Sequence, residues 1–157
     1  MQTIIYILPE LFLSFTILFL LMLGVFIKKS FKLISLLTIF SLIFTIALLL
    51  NQPNDINKVF NNSYIIDSLS ILMKVLTLLF SALVLLTSND YIKIKKINKI
   101  EYPIIILASI LGMIIMISSN DLIIFYLGLE LQSLCLYILA AFNKDEVKST
   151  ESGLKYF

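Results

Sequence analysis

Histidine and tryptophan are missing from the 157 residues, and there is a single cysteine, Cys135. Without histidine or a cysteine cluster, structural zinc, catalytic zinc and haem ligation of the usual kinds have no ligands to draw on. One cysteine cannot close an intrachain disulfide, and Cys135 sits inside an apolar run, where it reads as a small core hydrophobe. Four glycines, none clustered, provide no phosphate-cradling loop. Charged residues are also sparse, at 14 %, with a net charge of only +2. Any redox chemistry connected with this chain therefore needs cofactors held elsewhere. An autonomous enzyme or a nucleic-acid binder is excluded on the same grounds.

What fills the chain instead is hydrocarbon. Hydrophobic residues make up 60 % and mean hydropathy is +1.04, against about 45–50 % apolar in soluble proteins. Apolar runs of this length belong in a bilayer, since roughly 20 helical residues cross a core about 30 Å thick. The pattern predicts an all-α fold, a polytopic membrane helix bundle forming one membrane domain over 1–157. Helices are expected at about 4–27, 33–50, 65–87, 103–117 and 121–142, with the start of a sixth from about 149. Abundant Ile, Leu, Asn, Lys, Phe and Tyr without Trp is also what an AT-rich genome encodes, an organelle's for example.

The first helix carries Pro9 and Glu10 in LPELF, read as its first turns, where proline is tolerated and a carboxylate meets the positive end of the dipole. Lysines follow this apolar run rather than precede it, so it is a retained anchor and not a signal peptide. In the second helix Ser35, Thr38, Ser41 and Thr45 recur at near-helical spacing and mark a mildly polar face that packs on protein. The third helix carries a longer stripe, Asp67, Ser70, Lys74, Thr77, Ser81 and Ser88, on one face. Lys74 is about 10 Å along the axis from Asp67, too far to pair with it. Two readings of Lys74 stand open, a side chain snorkelling to an interface or a charge inside the bundle that takes part in a relay. In the fourth helix Ala108 and Gly112 allow another helix to approach closely, and the short SSN turn makes the fourth and fifth helices antiparallel neighbours.

The fifth apolar stretch, DLIIFYLGLELQSLCLYILAAF, holds the group that matters most. Glu130 lies on the order of 13–14 Å down the axis from Asp121, near the bilayer midplane. An acidic residue there costs about 2.5–3.5 kcal/mol on insertion scales. It shares a helical face with Ser133, Leu134 and Tyr137. Either it is a structural carboxyl bonded to a neighbouring helix, or it relays ions.

Basic residues concentrate in the first-to-second loop (KKSFK), in the third-to-fourth loop (Lys93, Lys95, Lys96, Lys99) and more weakly in the tail. Positive-inside then places the N-terminus outside and those loops in the matrix, stroma or cytoplasm.

LPELF, DSLSILMKVLTLLFSALVLL, SSNDLIIFYLGLELQSLCLYILAAF and STESGLKYF, in that order, resemble subunit 2 of respiratory complex I (NADH:ubiquinone oxidoreductase), one of its antiporter-like membrane subunits. YLGLELQSL followed by an apolar helix and ESGLKYF is the most specific part. The resemblance implies a place in a proton-pumping membrane arm of the mitochondrial inner membrane, with the N-terminus on the intermembrane-space side. It implies no cofactor in this chain; NADH, FMN, iron-sulfur clusters and ubiquinone act in the wider complex. In the family the fifth-helix glutamate faces a lysine on a later helix, and the two form a gated pair. Glu130 stands at that glutamate's position, and Lys74 matches the family's third-helix lysine. The two are thus the site residues that the resemblance implies for a proton relay. Family members usually have 14 helices, or 11 in some animal lineages. The expectation is therefore the N-terminal part of a split or truncated subunit, the split form favoured, with a second polypeptide carrying the rest beside the other membrane-arm subunits and lipid. Two further readings are a subunit of a multisubunit cation/proton antiporter, or of complex I's plastid counterpart, and a scaffold of the membrane arm that transports nothing.

Overall fold

A computed structural model describes residues 2–26, 31–53, 57–94, 99–143 and 146–157. Six helices follow one another: α1 (Gln2–Phe26), α2 (Phe31–Leu50), α3 (Ser68–Ile94), α4 (Glu101–Ser118), α5 (Leu122–Ala140) and α6 (Val147–Tyr156). The first five are long and apolar enough to cross a membrane. This is the expected all-α membrane bundle, and the sixth helix runs two to three turns from Val147.

Between α2 and α3 the chain departs from expectation. The third helix does not begin at 65. Residues Asn57–Val59 (β1) and Tyr64–Ile66 (β2) pair antiparallel, with Val59 opposite Tyr64 and Asn57 opposite Ile66. Phe60, Asn61 and Asn62 all have positive φ, and the two asparagines tolerate that conformation well. Val59, Tyr64 and Ile66 turn inward against Ile71, so the hairpin has a small apolar core of its own. Asp67 then starts α3 with a reciprocal cap. Its Oδ1 accepts from the Ser70 amide at 2.8 Å while the Ser70 hydroxyl accepts from the Asp67 amide at 2.9 Å. The Ser70 amide, and after it the Ser70 hydroxyl, hold the Asp67 carboxyl below the usual carboxylate range.

α4 is the centre of the bundle and packs on α1, α2, α3 and α5. Ile104, Leu107, Ile110 and Ile114 meet Leu13 and Leu20 of α1, Ile34 and Leu42 of α2, and Leu78 and Leu85 of α3 in one apolar core. Its closest partner is α5, and the sequence explains why. A Cβ on Gly112 would lie 2.7 Å from the Gly128 carbonyl oxygen, and one on Gly128 would lie 2.9 Å from the Gly112 carbonyl oxygen. The two backbones touch where side chains are missing, as the Ala108–Gly112 spacing predicts for one of them.

The polar face of α2 also lies where expected: Ser35, Thr38, Ser41 and Thr45 are all buried. Thr38, Ser41 and Thr45 bond to carbonyls of their own helix three or four residues back. The helix-three hydroxyls behave alike. Thr77 donates to the Lys74 carbonyl and Ser81 to the Thr77 carbonyl. These bonds are all local, as are those from the Ser70 hydroxyl to the Asp67 carbonyl and from the Ser133 hydroxyl to the Glu130 carbonyl.

Candidate functional site

One charged cluster is sealed inside the bundle, close to the hairpin. Lys74 has no exposed surface. Its Nζ donates to Glu10 Oε1 at 2.6 Å and to the Tyr64 hydroxyl at 3.1 Å, and lies 5.1 Å from the centre of the Tyr64 ring. The Tyr64 hydroxyl in turn donates to the same Glu10 oxygen at 2.8 Å. Three elements converge here: α1 brings Glu10, β2 brings Tyr64 and α3 brings Lys74. Ser118, the last residue of α4, stands beside the phenol. Two buried oxygens of this cluster, Glu10 Oε2 and Ser118 Oγ, close no hydrogen bond among the described residues. Burial, reinforced by the Glu10 charge, holds the Tyr64 phenol well above its usual range, so it stays a donor.

This arrangement removes one of the two readings of Lys74. The side chain does not snorkel; it is a charge inside the bundle. It also corrects the reading of Glu10. α1 starts at Gln2 and Pro9 lies inside it, so Glu10 is in the third turn and not at the helix entrance. Its carboxylate holds an ammonium rather than a dipole. Sequence reasoning missed this partner and Tyr64; the available signal was a carboxylate and a lysine each inside an apolar run.

Glu130 is placed differently. It is half-buried on α5, where Leu122, Ile123, Tyr126, Leu127, Leu129 and Ile138 are exposed. Among the described residues its carboxylate receives no hydrogen bond and no cation. Of its expected neighbours, Leu134 is exposed, and the Tyr137 ring packs edge-on against Tyr156 and Phe157 of the α6 end. Glu130 and Lys74 are thus not partners in this chain, and α4 lies between their helices. Cys135 is buried in α5, as a small core residue should be. Lys28, Lys29, Lys95 and Lys96, on which the topology rests in part, lie outside the described residues.

Residues 119–157, from the α4–α5 turn through Glu130 to the end of α6, match the family described as "NADH:quinone oxidoreductase/Mrp antiporter, TM". The chain is 56 % identical over 158 residues to NADH-quinone oxidoreductase subunit N of Pelagibacter ubique, covering 100 % of this chain and 34 % of that protein. It is 45 % identical over 152 residues to subunit N of Paramagnetospirillum magneticum, covering 96 % of this chain and 31 % of that one. The chain is similar to a complex I antiporter-like subunit. It spans about a third of the length of these relatives, which carry the name subunit N where the sequence reading expected subunit 2. Their sources are bacterial, and a mitochondrial location gains no support from them. The fold itself is shared with a solved structure. A chain of respiratory complex I from Thermus thermophilus with bound aureothin superposes with a TM-score of 0.77 at 23 % identity, over 95 % of this chain and 32 % of that one.

Proposed function

We propose that this chain is the first part of an antiporter-like membrane-arm subunit of NADH:quinone oxidoreductase and takes part in proton translocation driven by quinone reduction. The observation that carries the reading is Glu130, an ionisable group in the middle of a spanning helix within the segment that matches the family. A carboxylate half-open to hydrocarbon is unfavourable by about 2.5–3.5 kcal/mol. The open face of α5 therefore calls for further protein that brings a cation to Glu130. That protein is the remainder of the subunit, whether continuous with this chain or supplied by a second polypeptide.

With the pair closed, both groups stay charged. When it opens, the cation loses its counter-charge and gives up a proton along a water chain. Lys74, buried and already paired, is a second charge in the same bundle half and belongs to the relay. NADH, FMN, iron-sulfur clusters and ubiquinone do their chemistry in other subunits of the complex. The hairpin end faces the outer aqueous phase, which is the periplasm or, in a mitochondrion, the intermembrane space. The lysine-bearing loops face the opposite side.

The family description also names the Mrp antiporter, and a subunit of a multisubunit cation/proton antiporter is the second reading. Native electrophoresis of mildly solubilised membranes, stained for NADH dehydrogenase activity and analysed by mass spectrometry, separates the two. The complex I reading expects this chain in the NADH-active band together with sequence resembling the rest of subunit N. Migration apart from every such band removes it in favour of the antiporter.

A further inference from the structure

The Glu10–Lys74 pair is an odd way to join α1 to α3. One turn deeper Leu13 of α1 and Leu78 of α3, both without exposed surface, belong to one apolar core. Replacing a buried ion pair by well-packed apolar groups is often neutral or stabilising, so stability alone does not account for the charges. Their hydrogen bonding is lopsided as well. Lys74 and Tyr64 both donate to Oε1 of Glu10, while Oε2 is buried with no donor among the described residues. A buried carboxylate oxygen with no protein donor is uncommon and often marks a functional group.

The cluster is shallow and tied to the Glu130 helix. Glu10 lies four residues inside the apolar span that starts at Tyr6, and Lys74 six residues inside the one that starts at Ser68, on the order of 6 and 9 Å from the hairpin rim. Tyr64 closes the cluster from the rim, and its strand is held to the α4–α5 turn. Tyr64 bridges to Ser119, the Asn120 amide donates to the Ser63 carbonyl at 3.0 Å, and Asn120 Nδ2 donates to the Asn62 carbonyl at 2.7 Å. The next residue, Asp121, caps the helix that carries Glu130. A shift of that helix is therefore felt at the Tyr64 hydroxyl.

We propose that Glu10 and Lys74 form a second protonatable site that holds a transported proton at the hairpin end of the bundle before its release to the water there. The proposal rests on the proton-translocation reading. A proton adds to Oε2 of the Glu10 carboxylate, forming one O–H bond and taking the pair from neutral to a net charge of +1. Lys74 keeps its three N–H bonds, and its attraction to the now neutral acid weakens. When the proton leaves to water at the rim, the ion pair reforms. No electrons move. The groups facing Glu10 are Lys74 of α3, Tyr64 of β2 and, beside the phenol, Ser118 of α4.

The test is NADH-driven proton pumping by the intact complex in membrane vesicles, normalised to assembled complex, in the double variant Glu10→Gln/Lys74→Met. Losing both charges leaves no unpaired ion, so the complex assembles, and pumping falls to roughly half the wild-type rate or less. Wild-type pumping in the assembled double variant would overturn the proposal. Should the double variant not assemble, Tyr64→Phe keeps both charges and removes only the hydroxyl. A roughly two-fold loss in protons moved per NADH is then expected, and an unchanged ratio overturns the site. Glu130→Gln is measured alongside. Normal pumping there removes the translocation reading itself. Impaired pumping there with normal Glu10, Lys74 and Tyr64 variants removes this site alone.

Discussion

Replacing Lys74 by methionine keeps the unbranched apolar stem and deletes the ammonium that sits 2.6 Å from Glu10 Oε1. What remains is a carboxylate 7 % exposed, with one hydrogen bond of 2.8 Å from Tyr64 and one oxygen empty. Breaking a buried ion pair by removing one partner costs about 3–5 kcal/mol. The orphaned carboxylate can reduce its own penalty by taking up a proton, which sets the expected loss near the lower end, about 3 kcal/mol. At 1.4 kcal/mol per decade, that is roughly a hundred-fold fall in the ratio of folded to unfolded protein. Glu10→Gln leaves the ammonium orphaned instead, with a loss in the same range. The double variant contains neither charge and is expected within about 1 kcal/mol of wild type. A double-mutant cycle on the four proteins, by equilibrium denaturation in mixed micelles, reads this directly as a coupling of several kcal/mol. Single losses below about 1 kcal/mol, or losses that simply add in the double variant, would refute the view that Glu10 and Lys74 neutralise one another in the bundle.

Two substitutions test the architecture around the site. Gly112→Ala places a methyl group 2.7 Å from the Gly128 carbonyl oxygen and 2.9 Å from the Gln132 amide, both backbone atoms, so α4 and α5 must separate. A loss of about 1–3 kcal/mol is expected in the same denaturation assay, and wild-type stability would show that the helices do not touch there. Asp67→Ala removes the cap of α3 and costs about 0.5–2 kcal/mol. Since folding lowers the Asp67 carboxyl, its contribution is complete above the ordinary carboxylate range and disappears as pH falls through the lowered folded value. The gap between Asp67→Ala and wild type should therefore narrow in acid; a gap that widens contradicts the capping geometry.

Much of the bundle was legible because membranes impose simple rules. Twenty apolar residues must be a helix, and an SSN turn leaves α4 and α5 no choice but to run antiparallel. The spacing of Ser70, Lys74 and Thr77 put them on one face without any structure. Glu10 was harder to place. Its partner is 64 residues away, and Pro9 before it looked like the opening of a helix that in fact starts at Gln2. Periodicity describes one helix at a time and says nothing of which face meets which. The hairpin was hidden for another reason. Tyr64, Ile65 and Ile66 adjoin the apolar run of α3, and an apolar triplet reads as either strand or helix until a pairing strand is seen. Gly128 passed unnoticed in YLGLEL because a lone glycine announces a close contact only when its opposite, Gly112, is known. Glu130 was conspicuous from depth alone, yet the cation that would face it is absent from the described residues.

The most direct test of the central claim is NADH-driven proton pumping in membranes whose complex carries Glu130→Gln, with the amount of assembled complex measured in the same sample. Glutamine keeps the size and polarity of the side chain and removes its charge, and Glu130 makes no side-chain bond among the described residues whose loss would unfold α5. The account predicts wild-type assembly with strongly reduced pumping. Wild-type pumping by a fully assembled variant would contradict it.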